Sequence, residues 1–136
     1  ALDCKVIFLD HISIVISGLA DGDERRLIDN TMTKLRKLVE EVKCSMFVVS
    51  HLKRPEGKLG HEEGVQTSLS HLRGSHSLAQ LSDAVIGFER NQQDEIQSNV
   101  MTARILKNRF SGDTGIACTL LYNKETGRLT EGTFDE

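Results

Sequence analysis

The segment Lys5–His11, with the sequence KVIFLDH, is the stretch that decides the fold. Its run of four apolar residues between polar ones predicts a β-strand covered on both faces, as in a parallel sheet. Asp10 then stands at the carboxyl end of the strand, where open α/β sheets have their ligand crevice. A carboxylate there is a candidate for holding hydrated Mg²⁺ beside a nucleotide phosphate. A strand-ending Asp that caps a turn is an equally consistent alternative.

A second apolar stretch, CSMFVVS at residues 44–50, repeats the pattern of the first. Between the two, apolar side chains recur at helical spacing, which predicts an amphipathic helix from about Asp23 to Lys43. Asp21 and Glu24 resemble a capping box at its start. Strand, helix and strand together predict a right-handed βαβ unit, so the sheet is at least partly parallel.

The remaining segments predict a mixed α/β fold. Loops are expected in ISIVISG and the ADGD that follows, in residues 54–70, which hold the only Pro, and in residues 91–99. A short helix is expected at Ser75–Ser82 and a strand at Ala84–Glu89. The closing segments alternate like antiparallel strands joined by turns: MTARILK, ACTLLYN and RLTEG.

Composition places the chain among intracellular globular proteins. Its 136 residues suit one domain, and 38% hydrophobic with 27% charged residues do not indicate disorder. The formal charge of −3 argues against coating of nucleic acid through overall charge, so any polyanion contact must be a local patch. The three Cys form no CxxC pair, and we find neither a membrane span nor a signal peptide. The first residue is Ala and a strand begins almost at once, which we interpret as part of a longer chain.

Polar residues also follow the second predicted strand, beginning with Ser50 and His51. Two adjacent parallel strands therefore deliver Asp10 and His51 to the same crevice edge, where an imidazole can hydrogen-bond a γ-phosphate and report its presence. Satisfaction of His51 by a loop carbonyl is the alternative. Basic residues come next, and they predict contacts with nucleic-acid phosphates or, equally, a solvated loop: Lys53, Arg54, Lys58 and Arg73.

The segment LKNRFSGDTG places Lys107 and Arg109 at the end of a predicted strand. Alternate strand residues point the same way, so both cations can converge on one anion, and an arginine so placed can stabilise charge on a transferred phosphoryl group. A surface pair of Arg109 with Asp113 is the alternative. Tyr122, the only Tyr, is a candidate for stacking on a base or ribose, although an ordinary strand aromatic explains it too.

Two familiar motifs are missing from the sequence. HEEG at His61 lacks the second His that a zinc protease helix needs, because Val65 stands at that position, so we expect His61, His71 and His76 to be loop polar groups. No GxxxxGK[ST] phosphate loop occurs anywhere in the 136 residues. The element that would grip a triphosphate is therefore not within this sequence.

The ordered series IFLDH, VVSHLKRP, HLRGSHSLAQLSD, FERNQQ, ILKNRFSGDTG and LYNKETG resembles the hexameric replicative helicases. The resemblance is closest to the helicase half of the phage primase-helicase type, with DnaB-type helicases as more distant relatives. It covers nearly the whole chain and implies a RecA-like P-loop NTPase core, of which residues 1–136 would be the C-terminal portion of a single motor domain. It further implies that the full-length protein uses Mg²⁺ and an NTP (ATP or dTTP), binds single-stranded DNA and forms a hexameric ring.

The resemblance also implies individual roles. Asp10 matches the acid that positions Mg²⁺, and His51 matches the residue that senses the γ-phosphate. Arg109 matches the arginine finger that enters a neighbour's nucleotide site, with Lys107 as its companion. Nucleotide contacts are implied for Tyr122, which would stack on the base, and for Arg90; DNA contacts are implied for Lys53, for the loop with Arg54 and Lys58, and for Arg73, Gly74 and Ser75.

The sequence departs from the family pattern in its DNA loops, where Gly57, Leu59 and Ala79 replace basic residues of the close phage relative. Our leading hypothesis is that the chain is part of a helicase motor and is inactive in isolation. We expect the isolated chain to bind no NTP or metal and to self-associate through exposed strand edges. The alternative is a non-catalytic RecA-like assembly or DNA-binding module. We expect the cytoplasm as its location, that of the host if the gene is a phage's.

Overall fold

The computed structural model describes residues 4–18, 23–73 and 76–132. Two compact units contain them: the first is formed by residues 4–53 and 72–82, and the second by residues 54–71 and 83–132. No helix among these described residues is both long enough and apolar enough to cross a membrane. Each unit has its own sheet.

The first unit contains the predicted βαβ arrangement. Strands β1 (Val6–Leu9) and β2 (Ser45–Val48) pair in parallel, with Val6 opposite Ser45 and Leu9 opposite Val48. Helices α1 (Ile12–Ser17) and α2 (Glu24–Val42) connect them. The parallel start of the fold is thereby confirmed.

Helix α1 corrects the prediction of a loop in ISIVISG. Ile12 and Ile16 stand four residues apart, hence on one face of a helix, and they are only 1% and 4% exposed. Burial of this one stripe favours a helical turn although Ser13 and Ser17 are turn-prone residues. The prediction failed because six residues are too few to reveal a helical period.

Helix α2 begins and ends as the sequence predicts. Its N-cap is Asp23, whose Oδ1 accepts a hydrogen bond of 3.1 Å from the Arg25 N–H; the predicted capping residue Asp21 lies outside the described residues. Lys43 ends the helix in the left-handed conformation with φ of 55°. The buried face joins the core of the unit, which consists of Ile12, Ile16, Ile28, Met32 and Leu78. Leu78 lies on α3 (Ser77–Leu81), the expected short helix.

Only one face of the β1–β2 sheet is covered by described residues, which corrects the prediction of a strand buried on both faces. Leu9 and Val48 pack against the core. The opposite face exposes Phe8, Phe47 and Val49, and Phe8 is 76% exposed. The rings of Phe8 and Phe47 stack with their centroids 5.0 Å apart, so this apolar surface is continuous across both strands.

The second unit is built on an antiparallel sheet, as the alternating segments predict. In order across the sheet, its strands are β3 (Ala84–Glu89), β4 (Val100–Asn108), β5 (Gly115–Asn123) and β6 (Arg128–Glu131). Residues 54–71 contain no strand or helix other than the 3-10 helix Leu69–His71, which fits the expected long loop. The α/β class with an antiparallel carboxyl-terminal part is therefore confirmed.

The loop is fastened to this sheet at Glu89, a residue that the sequence did not single out. Both the N–H and the Oγ1–H of Thr67 donate to Glu89 Oε1 at 2.8 Å. Arg104 of β4 donates to both carboxylate oxygens, at 2.6 and 3.1 Å. Burial alone raises the pKa of Glu89, but the hydrogen bonds from Arg104 and Thr67 outweigh it and hold the pKa below its ordinary value. The same contact raises the pKa of Arg104.

Gly87 allows the loop to lie close over β3. A Cβ built on Gly87 would stand 2.9 Å from Thr67 Cβ, a separation at which Thr67 must shift. It would stand 3.2 Å from Leu106 Cδ1, a tight contact that a small movement of the leucine side chain relieves. We expect Gly87→Ala to lower the free energy of unfolding by about 1–3 kcal/mol, because Thr67 must move and weaken its bonds to Glu89. Urea denaturation measures this. Gly18→Ala is the control, since a Cβ there meets nothing within 4 Å; equal stability of both variants would contradict the prediction.

The lowered pKa of Glu89 predicts an acid-sensitive fold. A carboxyl whose pKa is lower in the folded state stabilises the protein above the unfolded value, near 4.5, and that contribution disappears as the pH falls through the folded pKa. Glu89→Gln should reduce stability at pH 7 by about 1–2 kcal/mol, since Arg104 and Thr67 exchange a charged acceptor for a neutral one, and should flatten the acid limb. Urea denaturation from pH 7 to pH 3 tests this, with exposed Glu95→Gln as the control. An unchanged acid limb in Glu89→Gln would refute the assignment.

Candidate functional site

The edge where β1 and β2 end brings two of the predicted site residues together. Parallel pairing continues past the strands, because the Val49 N–H donates to the Leu9 carbonyl at 2.9 Å and the Ile12 N–H donates to the Val49 carbonyl at 3.0 Å. Asp10 lies between the two bonded residues Leu9, which ends β1, and Ile12, which begins α1, and His51 follows Val49 by two positions. The prediction that Asp10 and His51 come to one sheet edge is confirmed.

The Asp10 side chain is exposed at this edge. The carboxylate makes no hydrogen bond or ion pair with the described part of the chain. Asp10 therefore does not cap a turn among these residues, which was the alternative interpretation. A carboxylate with accessible lone pairs can act as an oxygen ligand for a hard cation.

His51 is also exposed, and its ring lies against a neighbour that the sequence did not single out. The centroids of the His11 and His51 rings are 4.0 Å apart, with 35° between the ring planes. No loop carbonyl among the described residues accepts a hydrogen bond from the His51 ring. The available signal for His11 was its position directly after Asp10, on the strand adjacent to that of His51.

The backbone of His51 is joined to the segment that precedes α3 in the chain. Its carbonyl accepts a hydrogen bond of 3.1 Å from the Arg73 N–H, and Leu52 forms a bridge with Leu72. The Arg73 guanidinium lies 3.7 Å from the Glu24 carboxylate in an exposed pair. Gly74 and Ser75, also predicted DNA contacts, lie outside the described residues. Lys53 is exposed beside this connection.

The other predicted DNA contacts, Arg54 and Lys58, lie in the second unit on residues 54–59 of the loop. Both side chains are exposed. The rest of the loop is fastened: besides Thr67, the Glu62 carbonyl accepts a hydrogen bond of 2.8 Å from the Gln92 N–H. The cations therefore belong to the more accessible half of the loop.

Arg109 follows the last residue of β4 and is ion-paired within its own unit. Its Nη1 lies 3.1 Å from Asp83 Oδ1, and its N–H donates to the Asp83 carbonyl at 2.8 Å. The partner is thus Asp83, not Asp113 as in the alternative reading. Lys107 lies within β4 opposite Val85. Because Arg109 lies in the turn beyond the strand, strand alternation does not govern where its side chain points, and convergence with Lys107 stays a prediction.

Arg90 and Tyr122, both predicted nucleotide contacts, meet in the second unit. The Arg90 guanidinium carbon is 5.8 Å from the centroid of the Tyr122 ring, within the range of a cation–π contact. Arg90 Nε also donates to the Ser98 carbonyl at 2.5 Å. The guanidinium is thereby held over one face of the ring.

Comparison with known proteins gives the family. The sequence pattern described as the DnaB-like helicase C terminal domain matches residues 2–131. The chain is 49% identical over 133 residues to the DNA helicase/primase of Enterobacteria phage T3, which covers 98% of this chain and 23% of that protein. The chain therefore spans about a quarter of the length of this relative.

Solved structures give the same fold. One solved ATPase domain superposes with a TM-score of 0.75 at 22% identity, covering 94% of this chain and 44% of that one. A DnaB-like replicative helicase, solved for its interactions with primase, has a TM-score of 0.73 at 22% identity, covering 91% and 29%. The predicted RecA-like α/β fold is confirmed by these matches. With the pattern matched over nearly all its residues, this chain belongs to the family of DnaB-like helicase C-terminal domains.

Proposed function

We propose that residues 1–136 are the C-terminal portion of a single RecA-like motor domain of a replicative DNA helicase. The longer protein would couple NTP hydrolysis to translocation on single-stranded DNA and to duplex unwinding. The observation that carries the proposal is the placement of Asp10 and His51 at the carboxyl ends of two paired parallel strands, in a chain of this family. Ligand crevices of open α/β sheets lie at that edge.

The donors at this edge fit Mg²⁺. Among the described residues, no three or more His, Cys, Asp or Glu side chains form a group that could hold a metal. These residues therefore do not form a metal site in which the protein supplies every ligand. Mg²⁺ is commonly held by one or two carboxylates together with waters and substrate phosphates, and the exposed Asp10 carboxylate suits that arrangement. The bound cation would supply neutralisation of phosphate charge. Asp10 would hold it, and the His51 ring would donate a hydrogen bond to the γ-phosphate of ATP or dTTP.

Arg109 would act in a neighbouring subunit's nucleotide site, with Lys107 as its companion. Its pair with Asp83 is exposed, with 58% of the Arg109 side chain and 37% of the Asp83 side chain accessible. Exposed pairs of this kind contribute only about 0–1 kcal/mol, so exchanging Asp83 for a phosphate costs little. An arginine that reaches a transferred phosphoryl group stabilises its charge.

Tyr122 would stack on the nucleotide base, next to Arg90. The cation–π contact leaves Arg90 over one face of the ring, so a base would take the other face. Arg90 would thereby orient Tyr122 and add positive charge near the subunit boundary.

Single-stranded DNA would be bound through exposed cations on two segments. The cations are Lys53 and Arg73 of the first unit and Arg54 and Lys58 on the loop of the second. Gly74 and Ser75 would add uncharged contacts next to Arg73. Such contacts carry affinity without reading sequence, because they are made to phosphates. The pair of Arg73 with Glu24 is exposed at 3.7 Å and therefore easily exchanged for a phosphate.

The complete protein would be a hexameric ring that takes its phosphate loop from sequence outside these 136 residues. The isolated chain would then lack the element that grips the triphosphate and would be inactive, although its strand edges and apolar sheet face would favour self-association. A non-catalytic RecA-like module is the competing description, and the following experiment separates the two.

We expect NTP hydrolysis, stimulated by single-stranded DNA, only in a protein extended to include a phosphate loop. Arg109→Ala and Asp10→Asn should each reduce kcat at least about 1000-fold, because each removes a charge that acts on the phosphates. Mixing the two variants should restore part of the activity, since some sites then combine an intact Asp10 with an intact Arg109 from the neighbour.

Lys34→Ala, on the exposed face of α2, is the control for the loss of a cation in general. Absence of hydrolysis in the extended protein would leave the assembly or DNA-binding module as the better description. Full activity of Arg109→Ala would remove the trans-acting role.

Lys58→Ala should weaken binding of single-stranded DNA without changing its sequence preference. Loss of one phosphate contact lowers the slope of log K against log salt concentration by about 0.7 for a single strand. Fluorescence anisotropy with labelled oligonucleotides from low to high salt measures both quantities in the extended protein. Lys34→Ala again serves as the matched control, and equal slopes for the two variants would contradict the DNA role of the loop.

A further inference from the structure

His11 takes no part in the proposed chemistry, yet it is the side chain in ring contact with His51. A centroid separation of 4.0 Å with a 35° tilt is close contact between two imidazoles. Rings that pack against each other restrict each other's rotamers. The direction of the His51 ring therefore depends on where the His11 ring stands.

Of the two histidines, His11 is the one held in place. It is half-buried and precedes Ile12, which is 1% exposed and bonded through its N–H to the Val49 carbonyl. His51 is exposed, and its ring has no hydrogen bond to a described residue. His11 is thus the fixed member of the pair and His51 the adjustable one.

The His11 side chain does not stabilise the helix that follows it through a capping hydrogen bond. His11 is the N-cap residue of α1, but its side chain makes no capping hydrogen bond. Its Nδ1 is buried and has no hydrogen-bond partner among the described residues. A phenyl ring would keep the packed shape and would not bury an unpaired nitrogen, so the fold should tolerate it.

We propose that His11 is a positioning residue for the γ-phosphate sensor. Its ring restricts His51 to the rotamers that direct the imidazole toward the phosphate beside Asp10, and it acts only through that contact. The inference rests on the proposed function of His51, and it adds the residue that fixes the sensor's orientation.

The test is steady-state NTP hydrolysis by the extended protein carrying His11→Ala, His11→Phe, His51→Ala or the double change to Ala. We expect His11→Ala to lower kcat/KM roughly 3- to 10-fold, with the loss divided between kcat and KM as in His51→Ala. His11→Phe should stay within about 2-fold of the unchanged protein, because it keeps the ring. The double variant should equal His51→Ala, since a residue that acts through His51 has no effect once that ring is gone.

Three results would overturn the proposal: unchanged kinetics in His11→Ala, equal damage by Ala and Phe, or additive losses in the double variant. Additive losses would indicate a structural role, and urea denaturation of all four variants would show it as lower stability. A fourth result, unchanged kinetics in His51→Ala, would overturn the sensor role of His51 itself. The two failures are therefore distinguishable.

Discussion

Hydrogen bonding between the backbones of β1 and β2 beyond the ends of both strands is the constraint on which the site depends. The bonds from Val49 to Leu9 and from Ile12 to Val49 fix the chain on both sides of Asp10. Without them, the strand-end residues would be loop residues whose direction varies with thermal motion. With them, a carboxylate and two imidazoles are presented from backbone that is hydrogen-bonded to the end of the sheet. Burial of Ile12 in the core further fixes the backbone that follows Asp10.

Much of the fold could be predicted because its elements are periodic over enough residues. The nineteen residues of α2 and the nine of β4 show their apolar patterns clearly, and the structure has both. The edge shared by Asp10 and His51 followed from parallel topology alone. Helix α1 could not be predicted, because its evidence is a single pair of isoleucines whose burial depends on α2 and α3 folding over them.

Contacts between residues that are distant in the sequence could not be predicted either. Arg109 pairs with Asp83, 26 residues earlier, whereas the sequence draws attention to the nearby Asp113. Glu89 and Thr67 are 22 residues apart, and nothing in AVIGFE distinguishes a buried glutamate from an exposed one at the strand end. The His11–His51 contact depends on side-chain rotamers in addition to strand pairing. In each case the contact depends on which residues are close in three dimensions, and the local periodicity of the sequence carries no information about that.

The close passage of Thr67 over Gly87 has a consequence for how sequences of this kind can change over time. A side chain larger than hydrogen at position 87 is acceptable only if position 67 becomes smaller or the loop shifts, and a shift removes hydrogen bonds to Glu89. Substitutions at these two sites are therefore expected to be coupled in descent, although they are distant in the sequence. Residues 54–59, which lie before the fastened part of the loop, are free of this coupling and can accumulate or lose cations independently, so the surface charge of the loop can diverge while the fold beneath it stays constant.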